Sequence, residues 1–224
     1  MSVILLIETS SINCSVAVCD GNKILAAVEK REMNIHASAI TLFIEQALKE
    51  SNKNLKDLNA IAVGKGPGSY TGLRIGVSTA KGLCYALNIP LIACQSLRTI
   101  FESAKEISFH QNAVYRPLLD ARRMEVYTCK FDAKGNQIED TNAVIIDEQT
   151  FKEETLTETC IYFGDGAEKT KTYYQHNENI TYVDELYPSA NYMHYEAIEK
   201  FNKSEFEDLV YFEPFYLKEF YFNK

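Results

Sequence analysis

The sequence predicts an α/β protein of two similar units, and three observations carry that prediction. A pattern occurs twice: a strand ending in an acid, a short polar loop, a strand, a Gly-Asn turn and a third strand. It runs from residue 3 to 29 and again from 116 to 146, a weak internal repeat. After each copy, helix-spaced apolar runs alternate with short strand-like runs, the order that builds α/β sheets. The third observation is a glycine-dense stretch, 64–76, which holds five of the ten glycines between a strand-like run and a helical one.

Taken in order, residues 3–8 form an apolar run ending at Glu8, followed by the polar loop 9–13. Strands follow over 15–19 and 24–29, joined by Asp20-Gly21-Asn22-Lys23, residues that tolerate the positive φ of a tight turn. A helix is expected over 35–50. Ile35, Ala39, Leu42, Phe43 and Ala47 recur at helical spacing, and Ile40, Ile44 and Leu48 widen the apolar face until it needs a neighbour on two sides. The strand 60–64 enters the glycine stretch. In the helix 72–87 that leaves it, Gly72, Gly76, Ala80 and Cys84 stand at four-residue steps, a ridge with almost no side chain that another helix can approach closely. Strand 89–93 and helix 95–104 complete a first unit, 1–106; the polar His110-Gln111-Asn112 opens a second, 107–224.

The second unit is expected to hold strands over 116–120, 125–131 and 137–146, then a short helix capped by Asp147. Strand 160–163, a helix to about 174, strand 180–183 and helix 192–201 follow. The aromatic tail 211–221 reads as an ordered strand packing back on the first unit rather than as a base-stacking platform, because cations are sparse around it.

Composition bounds the function. The chain's 224 residues can bury a core, and 46% apolar with 24% charged residues is ordinary for a globular protein. No apolar run is long enough to span a membrane and the first residues do not read as a signal peptide, so a cytoplasmic location is expected. Six cysteines without a C-x-x-C pair read as buried free thiols. A net charge of −8 argues against broad nucleic-acid binding by this chain alone.

The chemistry-bearing residues admit several readings. Glu8, Thr9, Ser10, Gly66, Gly68, Ser69 and Asp120 are candidate nucleotide or phosphate contacts, since amides of a glycine-rich turn before a helix favour anions. The stretch is not a P-loop, for no Gly-Lys-[Ser/Thr] follows, and it is not a dinucleotide fingerprint, for Ser69 replaces the third glycine. Close helix packing after a tight turn explains it more simply. Glu8 and Asp120 are also candidates for a carboxylate pair, and Arg122 and Arg123 for an anion site or for surface pairing. Arg74 opposes the dipole of its helix and so implies a specific partner, an acid or another subunit. His36 and Ser38, two apart on a helix, do not face each other.

The resemblance becomes specific in three blocks. They are Ile7-Glu8-Thr9-Ser10 with Cys14-Ser15-Val16-Ala17-Val18, the block Gly66-Pro67-Gly68-Ser69-Tyr70-Thr71-Gly72-Leu73-Arg74-Ile75-Gly76, and Leu119-Asp120-Ala121-Arg122-Arg123 with Glu125-Val126-Tyr127. Together they closely resemble the TsaB (YeaZ) family, and Pro214-x-Tyr216-Leu217-Lys218 resembles its C-terminal strand. The resemblance covers most of 1–131 and thins after about 135. It implies two ribonuclease-H-like lobes of the actin-like ATPase (ASKHA) superfamily. It implies a non-catalytic scaffold and activator of a TsaD-type transferase that forms N6-threonylcarbamoyladenosine in tRNA, with a TsaE-type ATPase joining through the complex and tRNA met only indirectly. The paralogue holds a metal by two helical histidines; Ser96 and Ile100 stand at those positions here, and neither is a ligand. No metal and no autonomously bound cofactor are expected, with ATP or ADP at most at a subunit interface.

That interface is expected on helices 35–50 and 72–87, through Ile40, Phe43, Ile44, Ala47, Gly72, Arg74, Gly76 and Ala80, with the paralogue or a second copy. The alternatives are an ATP-dependent kinase or hydrolase using Glu8, Gly66–Gly72 and Asp120, and, more weakly, a metalloprotease.

Overall fold

A computed structural model describes residues 2–218. Its strands are β1 (Val3–Glu8), β2 (Asn13–Asp20), β3 (Lys23–Arg31), β4 (Ala60–Gly64), β5 (Leu91–Cys94), β6 (Val114–Asp120), β7 (Glu125–Phe131), β8 (Gln137–Ile145), β9 (Cys160–Phe163) and β10 (Ile180–Val183). Its helices are α1 (His36–Glu50), α2 (Tyr70–Leu87), α3 (Ser96–Ile107), α4 (Lys152–Thr157), α5 (Glu168–Tyr174) and α6 (His194–Lys203). The chain divides into two compact units. Of the described residues, unit 1 holds 2–99 and 188–215, and unit 2 holds 100–187 and 216–218. The boundary expected at 106/107 therefore lies earlier, inside α3, and α6 belongs to unit 1. The reason is visible in the packing: Ala190, Met193 and Ala197 join Ile4, Leu6, Ala62 and Ile92 in one apolar cluster.

Unit 1 is a five-stranded sheet in the order β3-β2-β1-β4-β5, with β1, β4 and β5 parallel and β2 and β3 antiparallel to their neighbours. Alternate residues of β1 serve two cores. Val3, Leu5 and Ile7 face α1 and α2, while Ile4 and Leu6 face the segment around α6. A strand covered on both faces reads as a continuous apolar run, as β1 does up to its last residue, Glu8. At the edge, β3 is mostly exposed or half-buried.

Unit 2 repeats the arrangement, in the order β10-β9-β6-β7-β8. The antiparallel β6–β7–β8 corresponds to β1–β2–β3, and the parallel β9 and β10 correspond to β4 and β5. The doubled strand pattern of the sequence is thus a doubled topology. On one face Phe101 stacks on Phe131 with ring centroids 4.6 Å apart. On the other, Val114, Leu118, Val126 and Tyr162 pack with Ala167 and Tyr174. At this unit's polar centre Arg116 is buried. Its guanidinium holds Glu139 at 2.8 Å and Glu154 at 2.9 Å and lies over the Phe151 ring at 4.2 Å. Burial works against that charge, and the two carboxylates override it, so the pKa is raised.

Two local expectations are corrected. Asp147 does not cap α4; its carboxylate accepts the N–H groups of Gln149 and Thr150, 2.9 Å each, and α4 starts only after Phe151. The described part of the tail is not a strand: between 204 and 218 the only β-type pairing is a bridge of Glu207 to Leu91. The remainder of the expected strand, residues 219–221, lies outside the described residues. Among the described residues no carboxylate pairs with Arg74; its guanidinium lies over the Tyr70 ring, 4.6 Å from the centroid. All six cysteines are buried free thiols, as expected.

Candidate functional site

The polar loop after β1 is organised by Glu8. Its side chain is fully buried, and Oε1 accepts the N–H groups of Thr9 and Ser10 at 2.8 Å each. Oε2 accepts the Ser96 hydroxyl at 3.0 Å. Gly64 is glycine because the Glu8 carboxyl lies where its side chain would be. Burial raises the pKa of Glu8, against the hydrogen bonds from Ser10, Ser96 and Thr9. Two amides and a hydroxyl converging on an oxyanion make an anion nest, and here the chain's own carboxylate fills it.

The glycine stretch is closed in the same manner. Ser69 N–H donates to the Ser10 carbonyl at 2.7 Å, and the Ser69 hydroxyl accepts the Gly72 N–H at 3.3 Å, capping α2. Gly66 adopts φ +103° and is covered by Leu73 and the Phe215 backbone. Side chains at Gly68, Gly72 and Gly76 would meet Ser10, the Thr9 carbonyl and the Thr9 hydroxyl. The smooth ridge of α2 therefore has its close neighbour inside unit 1: it receives the β1 loop.

This relocates the accessible surface of the two helices. Ile40, Ile44, Ala47, Gly72, Gly76 and Ala80 are buried in unit 1, against its own strands and loop, so as interface residues they are corrected. Phe43 is half-buried and Arg74 exposed. What faces outward on α2 is a second small-residue row, Ser78, Gly82 and Ala86, with nothing within 4 Å of the position a Gly82 side chain would take. Beside it Tyr85 is 84% exposed, and on α1 Leu42 is 61% exposed. The sequence contained this row at the same four-residue spacing. Periodicity alone did not say which of two opposite rows met the sheet.

In unit 2, Asp120 ends β6 as Glu8 ends β1. Its carboxylate accepts the Arg122 N–H at 2.6 Å and pairs with Lys169 at 3.1 Å, while its own N–H donates to Asp165 at 2.8 Å. Burial raises the pKa of Asp165. In each unit the acid is engaged at home, and among the described residues no group of three or more His, Cys, Asp or Glu side chains is placed to hold a metal. His36 is buried, which lowers its pKa, and the Ser38 hydroxyl donates to the Ile35 carbonyl instead of to an imidazole.

Two ribonuclease-H-like units, each with its hairpin loop at the end of a first strand, define the two-lobed fold of the actin-like ATPase superfamily. Residues 30–206 match the family model described as TsaD: tRNA N6-adenosine threonylcarbamoyltransferase. The TsaB protein of Escherichia coli K12 is 36% identical over 149 residues, 63% of this chain and 62% of that protein. The TsaB protein of Buchnera aphidicola subsp. Schizaphis graminum is 30% identical over 196 residues, 84% of this chain and 89% of that one. Among solved structures, YeaZ from Pseudomonas aeruginosa superposes with a TM-score of 0.76 at 22% identity, covering 97% of this chain and all of that one, a likeness of fold. The chain belongs to the TsaB (YeaZ) family. Its match spans less than two thirds of the E. coli relative's own length.

Proposed function

We propose that this protein is a non-catalytic scaffold and activator in the formation of N6-threonylcarbamoyladenosine at tRNA position 37, acting by direct contact with a TsaD-type transferase. Family membership supports the pathway. The observation that carries the non-catalytic part is the closure of the β1 loop: Thr9 and Ser10 N–H groups, the donors a phosphate would need, are taken by buried Glu8. Ser96, where the resemblance puts a metal-ligating histidine in the paralogue, gives its hydroxyl to the same carboxylate. ATP or ADP and a TsaE-type ATPase then belong to the assembled complex, tRNA is met through the transferase, and the setting is cytoplasmic. Among the described residues no helix is long and apolar enough to cross a membrane.

The contact surface is the outward row Ser78, Gly82 and Ala86 of α2 with Arg74, Tyr85 and the exposed Leu42 and half-buried Phe43 of α1. Small residues let a partner helix approach closely, and a second copy would use the same face when the partner is absent. The test is Gly82→Arg and Ser78→Arg. Both point to solvent, and arginine is the better helix former than glycine, so folding is retained. Loss of co-purification with the transferase and of the modified nucleoside in tRNA is expected; retention of both would reject this face. The enzyme reading is tested separately: ATP turnover with Mg²⁺ by the purified chain, abolished by Glu8→Gln, would overturn the scaffold.

A further inference from the structure

The β1–β2 loop 9–12 has no residue at positive φ, and the β6–β7 turn stands apart from the two remaining antiparallel turns of the described residues. Those between β2 and β3 and between β7 and β8 place glycine at positive φ, Gly21 at +56° and Gly135 at +91°. The β6–β7 turn places Arg122 at +69° and Arg123 at +50°, consecutive left-handed residues with long side chains. Everything beneath them is satisfied. Asp120 accepts the Arg122 N–H and pairs with Lys169; Lys169 also donates to the Glu125 carbonyl at 2.7 Å; Lys218 pairs with the Glu125 carboxylate. Ala121 N–H and the Glu125 carbonyl close the turn at 3.0 Å. The two guanidiniums are exposed, and among the described residues no carboxylate pairs with either. The result is a rigid base presenting two adjacent free forks in a chain of net charge −8.

We infer that the Arg122–Arg123 turn is a docking element for paired carboxylates on an acidic segment of a protein partner. Left-handed backbone carried by arginine, where the β2–β3 and β7–β8 turns use glycine, points to the side chains as what is needed. Guanidinium is the group that recognises an oxyanion bidentately. A polyanion such as RNA is disfavoured, because it needs several free cations in a row and the neighbouring Lys169 and Lys218 are already paired. Two forks fit one or two carboxylates.

The first arm of the test rests on the function proposed above and uses the transferase of the same organism as partner. Calorimetric titration at 50 and 300 mM salt compares the native chain with Arg122→Gly/Arg123→Gly and with Arg122→Lys/Arg123→Lys. The glycine pair should melt no lower than the native chain, since it removes strain, yet bind about tenfold more weakly at low salt with a flatter salt dependence. The lysine pair should lie between. Equal affinity for all three, or a melting temperature that falls by several degrees in the glycine pair, overturns the inference. If the native chain does not bind the transferase, that partner is wrong. The second arm then decides, using a fluorescent twelve-residue Glu-rich peptide and a twelve-nucleotide RNA. Peptide binding at least fivefold weaker in the glycine pair supports the element; no peptide binding, equal peptide binding, or preference for RNA overturns it.

Discussion

A methyl group added at Gly76 has no room, because the Thr9 hydroxyl already lies there, while one added at Gly82 meets solvent. The two positions share a helix and a residue type, so their difference isolates packing from propensity. Gly76→Ala should destabilise unit 1 by about 2 kcal/mol, the scale of forced overpacking. Gly82→Ala should stabilise it by about 1 kcal/mol through helix propensity. Urea unfolding of the two variants checks both signs. Glu8 gives a pH signature. Burial holds its folded-state pKa above the ordinary 4.5, so the stability it contributes is complete below about that pH and is lost as pH rises through the folded value. Gln at this position does not titrate. The stability of Glu8→Gln relative to the native chain should therefore improve as pH rises from 4.5 toward neutrality; a difference that stays constant would show that Glu8 is not held there by burial. Glu8 as a loop acid was legible in the sequence. That its carboxylate folds back onto its own loop was not, because the opposing Gly64 and Ser96 come from distant segments.

At the scale of elements, α4 has only six residues, too few to stand alone, and Arg116 anchors it through Glu154. Arg116→Ala leaves Glu154 with Lys130 and the Tyr162 hydroxyl but without its main counter-charge, and should cost about 3–5 kcal/mol, read as a lowered denaturation midpoint of unit 2. On α2, the Lys81 ammonium donates to the carbonyls of Val210 and Phe212 at 3.4 and 3.0 Å. Lys81→Ala should speed amide exchange across 207–215 while leaving β1 protected. The strands were legible almost throughout, since doubly covered β1 and β4 are apolar runs and each turn has its own chemistry. The C-terminal stretch was not. Its aromatic content suggested a strand, but its backbone groups are met locally by Asp208 and, across unit 1, by Lys81, by Lys65 and by a single bridge to β5. The three partners across the unit lie more than a hundred residues away and leave no local period.

At the scale of the molecule, the doubled topology accounts for the fold, and packing inside one unit accounts for the shift of the proposed interface. The ridge Gly72-Gly76-Ala80 is a packing feature of one unit, and the outward row beside it is what a partner would meet. Net charge also enters here. An acidic chain favours a protein partner over bare nucleic acid, so binding of unmodified tRNA to the isolated chain should be undetectable at physiological salt and should appear only with the transferase.

Unit 1 is interrupted. Its sheet is complete by Cys94, yet the residues that cover Ile4, Leu6, Ala62 and Ile92 begin only at Pro188. On a ribosome the first strands therefore emerge with one oily face bare, and they wait through more than ninety residues of synthesis for Ala190, Met193 and Ala197. The main segment of unit 2, 100–187, is synthesised before that cover arrives and can begin to fold first. A nascent chain stalled at residue 187 should be held by chaperones, and one extended by a C-terminal linker long enough to bring residue 215 out of the ribosome should let them go.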